Sequence, residues 1–212
     1  MIDLTDTLAH LSKQRPIFHS EADFQHALAW LIHQRNPGAA IRLEYRLFGL
    51  EPLYLDLWVQ DGESALAIEL KYPTRRIDVE YAGEQFLLMN HSARDIRCYD
   101  FIKDIRRLER CTLAKPGVTG YAVLLTNDGS YWTSPAHAET IDADFRIHEG
   151  SHLSGTLAWG PHTGAGTMKG RESALTLRGS DALSWHVYST VGANPNDGSF
   201  RYLLVCVDPE SL

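Results

Sequence analysis

Three strand-like runs, Ile41–Phe48, Leu53–Gln60 and Leu66–Tyr72, follow one another with only Gly49-Leu50-Glu51-Pro52 and Asp61-Gly62-Glu63 as turn-forming links. A parallel connection between neighbouring strands needs a crossover of roughly a dozen residues or more, usually a helix. Neither link has room for one. The stretch is therefore expected to form an antiparallel meander, and this expectation fixes which side chains can meet.

Successive strand residues point to opposite faces. In the third run, Leu66, Ile68 and Leu70 share one face, leaving Ala67, Glu69 and Lys71 on the other. In the second, Leu53, Leu55, Leu57 and Val59 are assigned to one face and Tyr54, Asp56 and Trp58 to its opposite. A strand of buried character thus presents Glu69 and Lys71 together, and adjacent pairing of the two runs places Asp56 beside Glu69.

Two carboxylates on adjacent strands offer the hard, anionic oxygens that magnesium prefers, with water and a phosphate oxygen completing an octahedron. Such an ion polarises a phosphate and lowers the pKa of a bound water, while the Lys71 ammonium holds that water or offsets transition-state charge. An E-x-K tripeptide alone is weak, because it usually marks a solvent-facing edge. The alignment with Asp56 and the order of the flanking elements carry the argument.

Before the meander, Ser20 caps a helix whose apolar residues Phe24, Ala27, Leu28, Leu31 and Ile32 recur at helical spacing, with Asn36-Pro37-Gly38 as its stop. After it, Val79 to Cys111 reads as helical. Ile96, Tyr99, Ile102, Ile105 and Leu108 form its apolar face, and Asn90-His91-Ser92 divides it into two helices. Tyr121–Thr126 is expected to be a central strand.

In this order of elements, and in Asp56 with Glu69-Leu70-Lys71, the sequence resembles the PD-(D/E)XK, or restriction-endonuclease-like, nuclease superfamily. The likeness covers roughly residues 20–126. It implies an α/β fold whose mixed sheet contains the antiparallel three-strand meander flanked by helices, in the order αβββαβ. Residues 127–212 then form a β-rich C-terminal extension of one nuclease-like domain spanning 1–212. It further implies a catalytic set of Glu21, Asp56, Glu69 and Lys71. Mg²⁺ or Mn²⁺ would be held by Asp56, Glu69, the backbone carbonyl of Leu70 and Glu21, the last matching an acidic position on the first helix. Leu55 stands where the superfamily pattern has proline. Residues Arg97–Glu109 resemble a motif of uncharacterised bacterial members that has no assigned role.

The implied activity is phosphodiester hydrolysis, with DNA as the expected substrate and a homodimer as an open alternative to a single chain. Net charge bears on this. The chain carries −7, whereas ten basic against seven acidic residues give Lys71–Lys115 a charge of +3, leaving −10 elsewhere. Arg75, Arg76, Arg97, Lys103 and Arg107 in that segment are the nucleic-acid-binding candidates. Asp104 and Arg107 are also candidate neighbours of the active site, against the competing reading of the segment as a solvated helix laced with ion pairs such as Asp100-Lys103 or Asp104-Arg107. The overall acidity favours a different class, a non-catalytic module that binds nucleic acid or protein on the same fold.

An apolar fraction of 44% with 22% charged residues is ordinary for a globular chain able to bury a core. MIDLTDTLAHLSKQRPIF has neither a basic n-region nor an apolar h-region, and nothing approaches ~18 continuous apolar residues, so a cytoplasmic protein without membrane contact is expected. Cys98, Cys111 and Cys206 form no CxxC pair, which argues against a zinc site or disulfide framework. His148, His152 and His162 lack ligand spacing. The Gly-rich stretch Thr163–Gly170 lacks a phosphate-loop pattern. Tyr131, Trp132, Trp159 and Trp185 are read first as a secondary core and second as a base-stacking surface. In the last third, strand character returns at Asp181–Ser189 and Phe200–Val207, with Asn194–Gly198 as a surface loop.

Overall fold

The computed structural model describes residues 2–47, 53–137, 139–192 and 195–208. Its first helix, α1 (Leu4–Gln14), has Asp3 as cap, accepting from Asp6 N at 3.0 Å, and buries Leu4, Leu8 and Leu11. This helix is absent from the sequence reading, although its leucines recur at helical spacing. The expected second helix, α2 (Glu21–Arg35), starts at Ser20, whose hydroxyl accepts from Asp23 N at 3.2 Å, and stops at Asn36.

Strands β1 (Ala40–Leu47), β2 (Leu53–Asp61) and β3 (Ser64–Lys71) form the expected antiparallel meander. The Gly49–Pro52 turn lies outside the described residues. Next comes a hairpin, β4 (Ile77–Tyr81) with β5 (Glu84–Leu88), then α3 (Arg94–Ala114) and β6 (Val118–Thr126). The helical assignment from Val79 and the uninterrupted order αβββαβ are thereby corrected. Ile77, Phe86 and Leu88 alternate inward with period two, and Ala82 (φ 51°) with Gly83 (φ 81°) makes the two-residue turn that suits the twist of a hairpin. Ala82 in a position usually held by Asn, Asp or Gly conceals that turn.

The last third supplies β7 (His152–Leu157), β8 (Leu175–Ala182), β9 (Trp185–Thr190) and β10 (Ser199–Val207). The run read as one strand from Asp181 is split between β8 and β9. Pro195–Gly198, within the expected surface loop, is a short helical turn. One six-stranded mixed sheet has the order β1-β2-β3-β6-β10-β9, and within it β3 and β6 are the parallel pair. The hairpin and α3 supply the crossover that a parallel pair requires. β7 and β8 pair separately.

Side chains fill both faces. Leu8, Phe24, Leu28 and Ile32 from α1 and α2 pack with Val59, Ile68, Leu70 and Val123. Phe101, Ile102, Ile105 and Leu108 from α3 pack on the other face with Ala65, Ala67, Ala122 and Leu124, and β7 and β8 extend that layer with Leu153 and Leu177. Tyr131 and Trp185 are buried there, and Trp132 and Trp159 pack against it, so these aromatics are core. Buried Glu109 on α3 accepts from Arg178 N and Gly179 N of β8 at 2.9 and 2.8 Å, satisfying a polar group that burial would otherwise penalise. No described helix is long and apolar enough to cross a membrane.

Small residues let α3 lie close to the sheet. A Cβ added to Gly120 on β6 would sit 3.0 Å from Leu108 Cβ and 3.2 Å from Val207 Cβ. Overpacking a tight core commonly costs about 1–3 kcal/mol. Gly120→Ala is accordingly expected to lower the unfolding free energy by about that amount in a urea titration, with no change in the denaturant slope.

Candidate active site

The centre forms where the ladders on both sides of β2 are interrupted. Pairing of β1 with β2 runs through Leu43↔Leu57 and resumes at Tyr45↔Leu55, passing over Glu44 and Asp56. Pairing of β2 with β3 reaches Leu57↔Ile68, one step short of Asp56 and Glu69. Glu44 has a left-handed backbone, φ 47°, which is rare for a residue with a side chain. Side chains replace the missing ladder bonds. Gln25 of α2 donates Nε2 to Asp56 O at 2.7 Å and to Glu44 Oε1 at 3.0 Å, and Leu70 N donates to Asp56 Oδ2 at 2.6 Å.

This interruption changes the expected facing of β2. Leu55 packs in the α3 layer beside Trp58, whereas Leu57 and Val59 pack in the α1/α2 layer, so the alternation slips at Asp56. Asp56 consequently reaches across to the Leu70 backbone. Glu69, 3% exposed, lies on β3 with Lys71 and meets α3 instead of solvent.

From α3 come Asp104 and Arg107, one helical turn apart. Asp104, 4% exposed, takes the Lys71 Nζ on Oδ2 at 2.7 Å and the Arg107 Nη1 on Oδ1 at 2.8 Å. Arg107 Nη2 lies 3.3 Å from Glu69 Oε1 and donates to Tyr54 O at 2.8 Å. Lys71 Nζ also donates to the Leu70 carbonyl at 3.1 Å. From the opposite layer, Glu21 in the first turn of α2 accepts from Tyr72 N on Oε2 at 2.8 Å. Glu21, Lys71, Pro73, Arg97, Asp100 and Leu124 line a cavity of about 210 Å³. It adjoins the carboxyl ends of β3 and β6, the usual location of sites in open α/β sheets.

Electrostatics is dominated by the surplus of acid. Glu21, Asp56, Glu69 and Asp104 face Lys71 and Arg107, four carboxylates against two cations, which leaves −2 when all are ionised. Burial pushes the Asp56 carboxyl up to about 6; the Leu70 N–H and Lys71 oppose that rise, while Glu21 and Asp104 add to it. Burial and then Asp104 push Glu69 far above the carboxylate range, with Arg107 only partly compensating. Lys71 behaves in the opposite sense. Burial disfavours its charge, but Asp104, Asp56 and Glu21 together outweigh burial and hold it above the ordinary lysine range, so it is a fixed cation and not a proton acceptor.

Does this donor set suit a divalent ion? Glu69 Oε1 is buried without a hydrogen-bond partner among the described residues, beside Asp56 and within a net negative cluster. A hard cation of the magnesium type takes one or two carboxylates and fills its remaining positions with water and phosphate oxygens. Asp56, Glu69 and the Leu70 carbonyl fit that requirement. A larger set is not assembled: among the described residues no three His, Cys, Asp or Glu side chains converge as a metal-holding group. Glu21 uses Oε2 on the Tyr72 amide.

The basic candidates separate into groups. Arg107 is inside the centre, and Arg97 lines its cavity. Lys103 is half-buried on α3 beside Asp104. Arg75 and Arg76 line a different cavity of about 560 Å³, where Arg75 Nε lies 3.7 Å from Asp197 Oδ1. Gln25 is absent from the site predicted by sequence, and Asp104 was legible there both as an active-site neighbour and as a surface acid. The i,i+4 relation of Glu21 and Gln25 was a usable signal. The Asp104-Arg107 pair takes the first of these two roles, against Lys71 and Glu69, while Asp100 joins Arg171, with Nη2 to Oδ2 at 3.0 Å. No family model, curated protein or solved structure matches this chain.

The acid surplus has a pH signature. Asp56 binds its proton more tightly in the folded chain, at about 6 against an ordinary 3.8, so the native state holds more protons between those values and stability falls as pH rises through that window. Asp56→Asn keeps an acceptor for Leu70 N and removes this cost. In metal-free buffer it is expected to be more stable than wild type above pH 7, by up to about 3 kcal/mol and with a correspondingly higher melting temperature, the difference vanishing below pH 4. Calorimetric melts across pH check it; an equal difference at every pH would show that the carboxyl does not titrate as described.

Proposed function

We propose that the chain is a divalent-metal-dependent nuclease of the restriction-endonuclease-like type, hydrolysing phosphodiester bonds, with DNA as the expected substrate. The observation carrying this reading is the centre itself: Asp56 and Glu69 occupy adjacent positions on two opened strands, Lys71 is fixed beside them by Asp104, and the cluster holds four carboxyl groups against two cations. Magnesium or manganese held by Asp56, Glu69 and the Leu70 carbonyl would supply Lewis-acid polarisation of a phosphate oxygen and a more acidic water.

The chain's own groups have separable tasks. Lys71 presents a permanent positive charge where negative charge gathers on a phosphorane-like transition state or beside an attacking hydroxide. Asp104 is a positioning residue that fixes the Lys71 ammonium and keeps it charged. Arg107 steadies Glu69 while anchored on Tyr54 O. Glu21 ties the end of β3 to α2 through Tyr72 N, and Gln25 holds the Asp56 backbone. Arg97 lines the cavity at a position suited to a substrate phosphate.

Labelled single- and double-stranded DNA and RNA incubated with Mg²⁺, Mn²⁺ or EDTA test the proposal. Cleavage is expected with either metal and not with EDTA, and Lys71→Ala or Glu69→Gln should each lose at least about 100-fold. Mn²⁺ should also raise the melting temperature of wild type but not of Asp56→Asn. Cleavage that persists in EDTA, or undiminished in Lys71→Ala, would falsify the mechanism.

A further inference from the structure

Beside the cavity at Lys71 lies a second one of about 380 Å³, and the two share Glu21 and Arg97 as lining residues. A strand whose phosphate lies at Lys71 therefore meets the second cavity as soon as it continues past Arg97. Its walls come from the start of α2, the chain leaving β3, the end of β5 and the segment entering α3. They are tied together. Thr74 and His91 exchange backbone contact through His91 N to Thr74 O at 2.8 Å, and Thr74 Oγ1 donates to Met89 O at 2.8 Å. His19 stacks on Phe86 at 4.3 Å between ring centroids, which clamps the hairpin to the turn before α2.

The chemistry of this lining is mixed in a particular way. Arg97 has no acidic partner among the described residues; its Nε donates to Ser92 O at 3.2 Å. His91 accepts from Thr74 N on Nδ1 at 2.9 Å, which places the ring proton of the neutral side chain on Nε2 as a remaining donor. Leu87 and Met89, 53% and 62% exposed, are large apolar side chains left in solvent next to these polar groups. A cation, a neutral donor and an apolar surface together suit a phosphate, a base edge and a base face. A cavity of this size falls near the lower end of the ~300–1,000 Å³ range of small-ligand pockets, the scale of one nucleotide. A paired base would bring its complement and stacked neighbours, and a duplex groove, about 12 Å wide on the major side, is read by an element that protrudes into it and not by a concave pocket.

We infer that this second cavity seats one unpaired nucleotide of the substrate strand next to the cleaved phosphate, so that the protein selects single-stranded or unpaired nucleic acid over intact duplex. This deepens the nuclease reading and rests on it. Arg97 takes the phosphate between the two cavities, and Leu87 and Met89 cover the base.

The test is fluorescence anisotropy of the full chain with 5′-labelled oligo-dT, oligo-U and a blunt DNA duplex, in calcium in place of magnesium. Single strands are expected to bind at least 10-fold more tightly than duplex, and the oligo-dT and oligo-U arms distinguish DNA from RNA as the source. A Leu87→Ser, Met89→Ser double variant, at exposed positions, should lose at least fivefold in single-strand affinity with an unchanged circular dichroism spectrum. Arg97→Gln should lose at least as much and provides a second variant if the double variant unfolds. Equal or tighter duplex binding, wild-type affinity in both variants, or no binding of any oligonucleotide overturns the inference. Metal-dependent cleavage lost in Lys71→Ala would still uphold the nuclease reading in each of those cases, so the two fail separately.

Discussion

The carboxylate of Asp104 meets Lys71 on one oxygen and Arg107 on the other, and both cations continue from it into the acid cluster. Without this shared acceptor, two long basic side chains would have to hold their positions beside Asp56 and Glu69 against solvent and their own rotamer freedom, an ordering cost of up to about 2 kcal/mol for each. The arrangement has a price in charge. Asp104 raises the proton affinity of Glu69 even as it fixes the cations that oppose that rise. The centre is thus under electrostatic tension that its own residues do not relieve.

Backbone geometry contributes to the same tension. Strand β2 gives up regular pairing at Asp56 on both of its edges, and a buried backbone group without a partner would cost about 1–3 kcal/mol. Gln25 and the Asp56 carboxylate take over those bonds, and the neighbouring strand accommodates a left-handed glutamate at Glu44. An irregular conformation held by specific side-chain bonds is common where a protein places reactive groups. Here the irregularity turns Asp56 away from simple alternation, toward the Leu70 amide and the strand that carries Glu69.

The meander, the capped α2 and the central β6 were legible because each rests on local rules: short links, a Ser cap, and an apolar run between turn residues. The hairpin at Ile77–Leu88 was hidden because Ala82 does not announce a left-handed turn, and its alternating residues sit beside a strongly helical segment. Asp56, Glu69 and Lys71 could be named from strand pairing. Asp104 could not be distinguished from a surface acid, since an i,i+3 pair with Arg107 looks the same whether water or a sheet lies beyond it. Only the small residues Ala65, Ala67 and Gly120, which bring α3 down onto β3 and β6, turn that pair inward. The slip of facing at Leu55 likewise depends on tertiary bonds from α2 that no periodicity contains.

The centre draws on α2, β2, β3 and α3, elements that lie on both faces of the sheet and are separated by the hairpin and the meander turns. Contacts between such distant segments form only after substantial loop-closure entropy has been overcome. The meander by itself accounts for the nearness of Asp56 and Glu69, whereas Arg107, and the Asp104 that fixes Lys71, come from α3. The cluster is complete only where both helical layers have docked, and whatever chemistry it performs is confined to such chains.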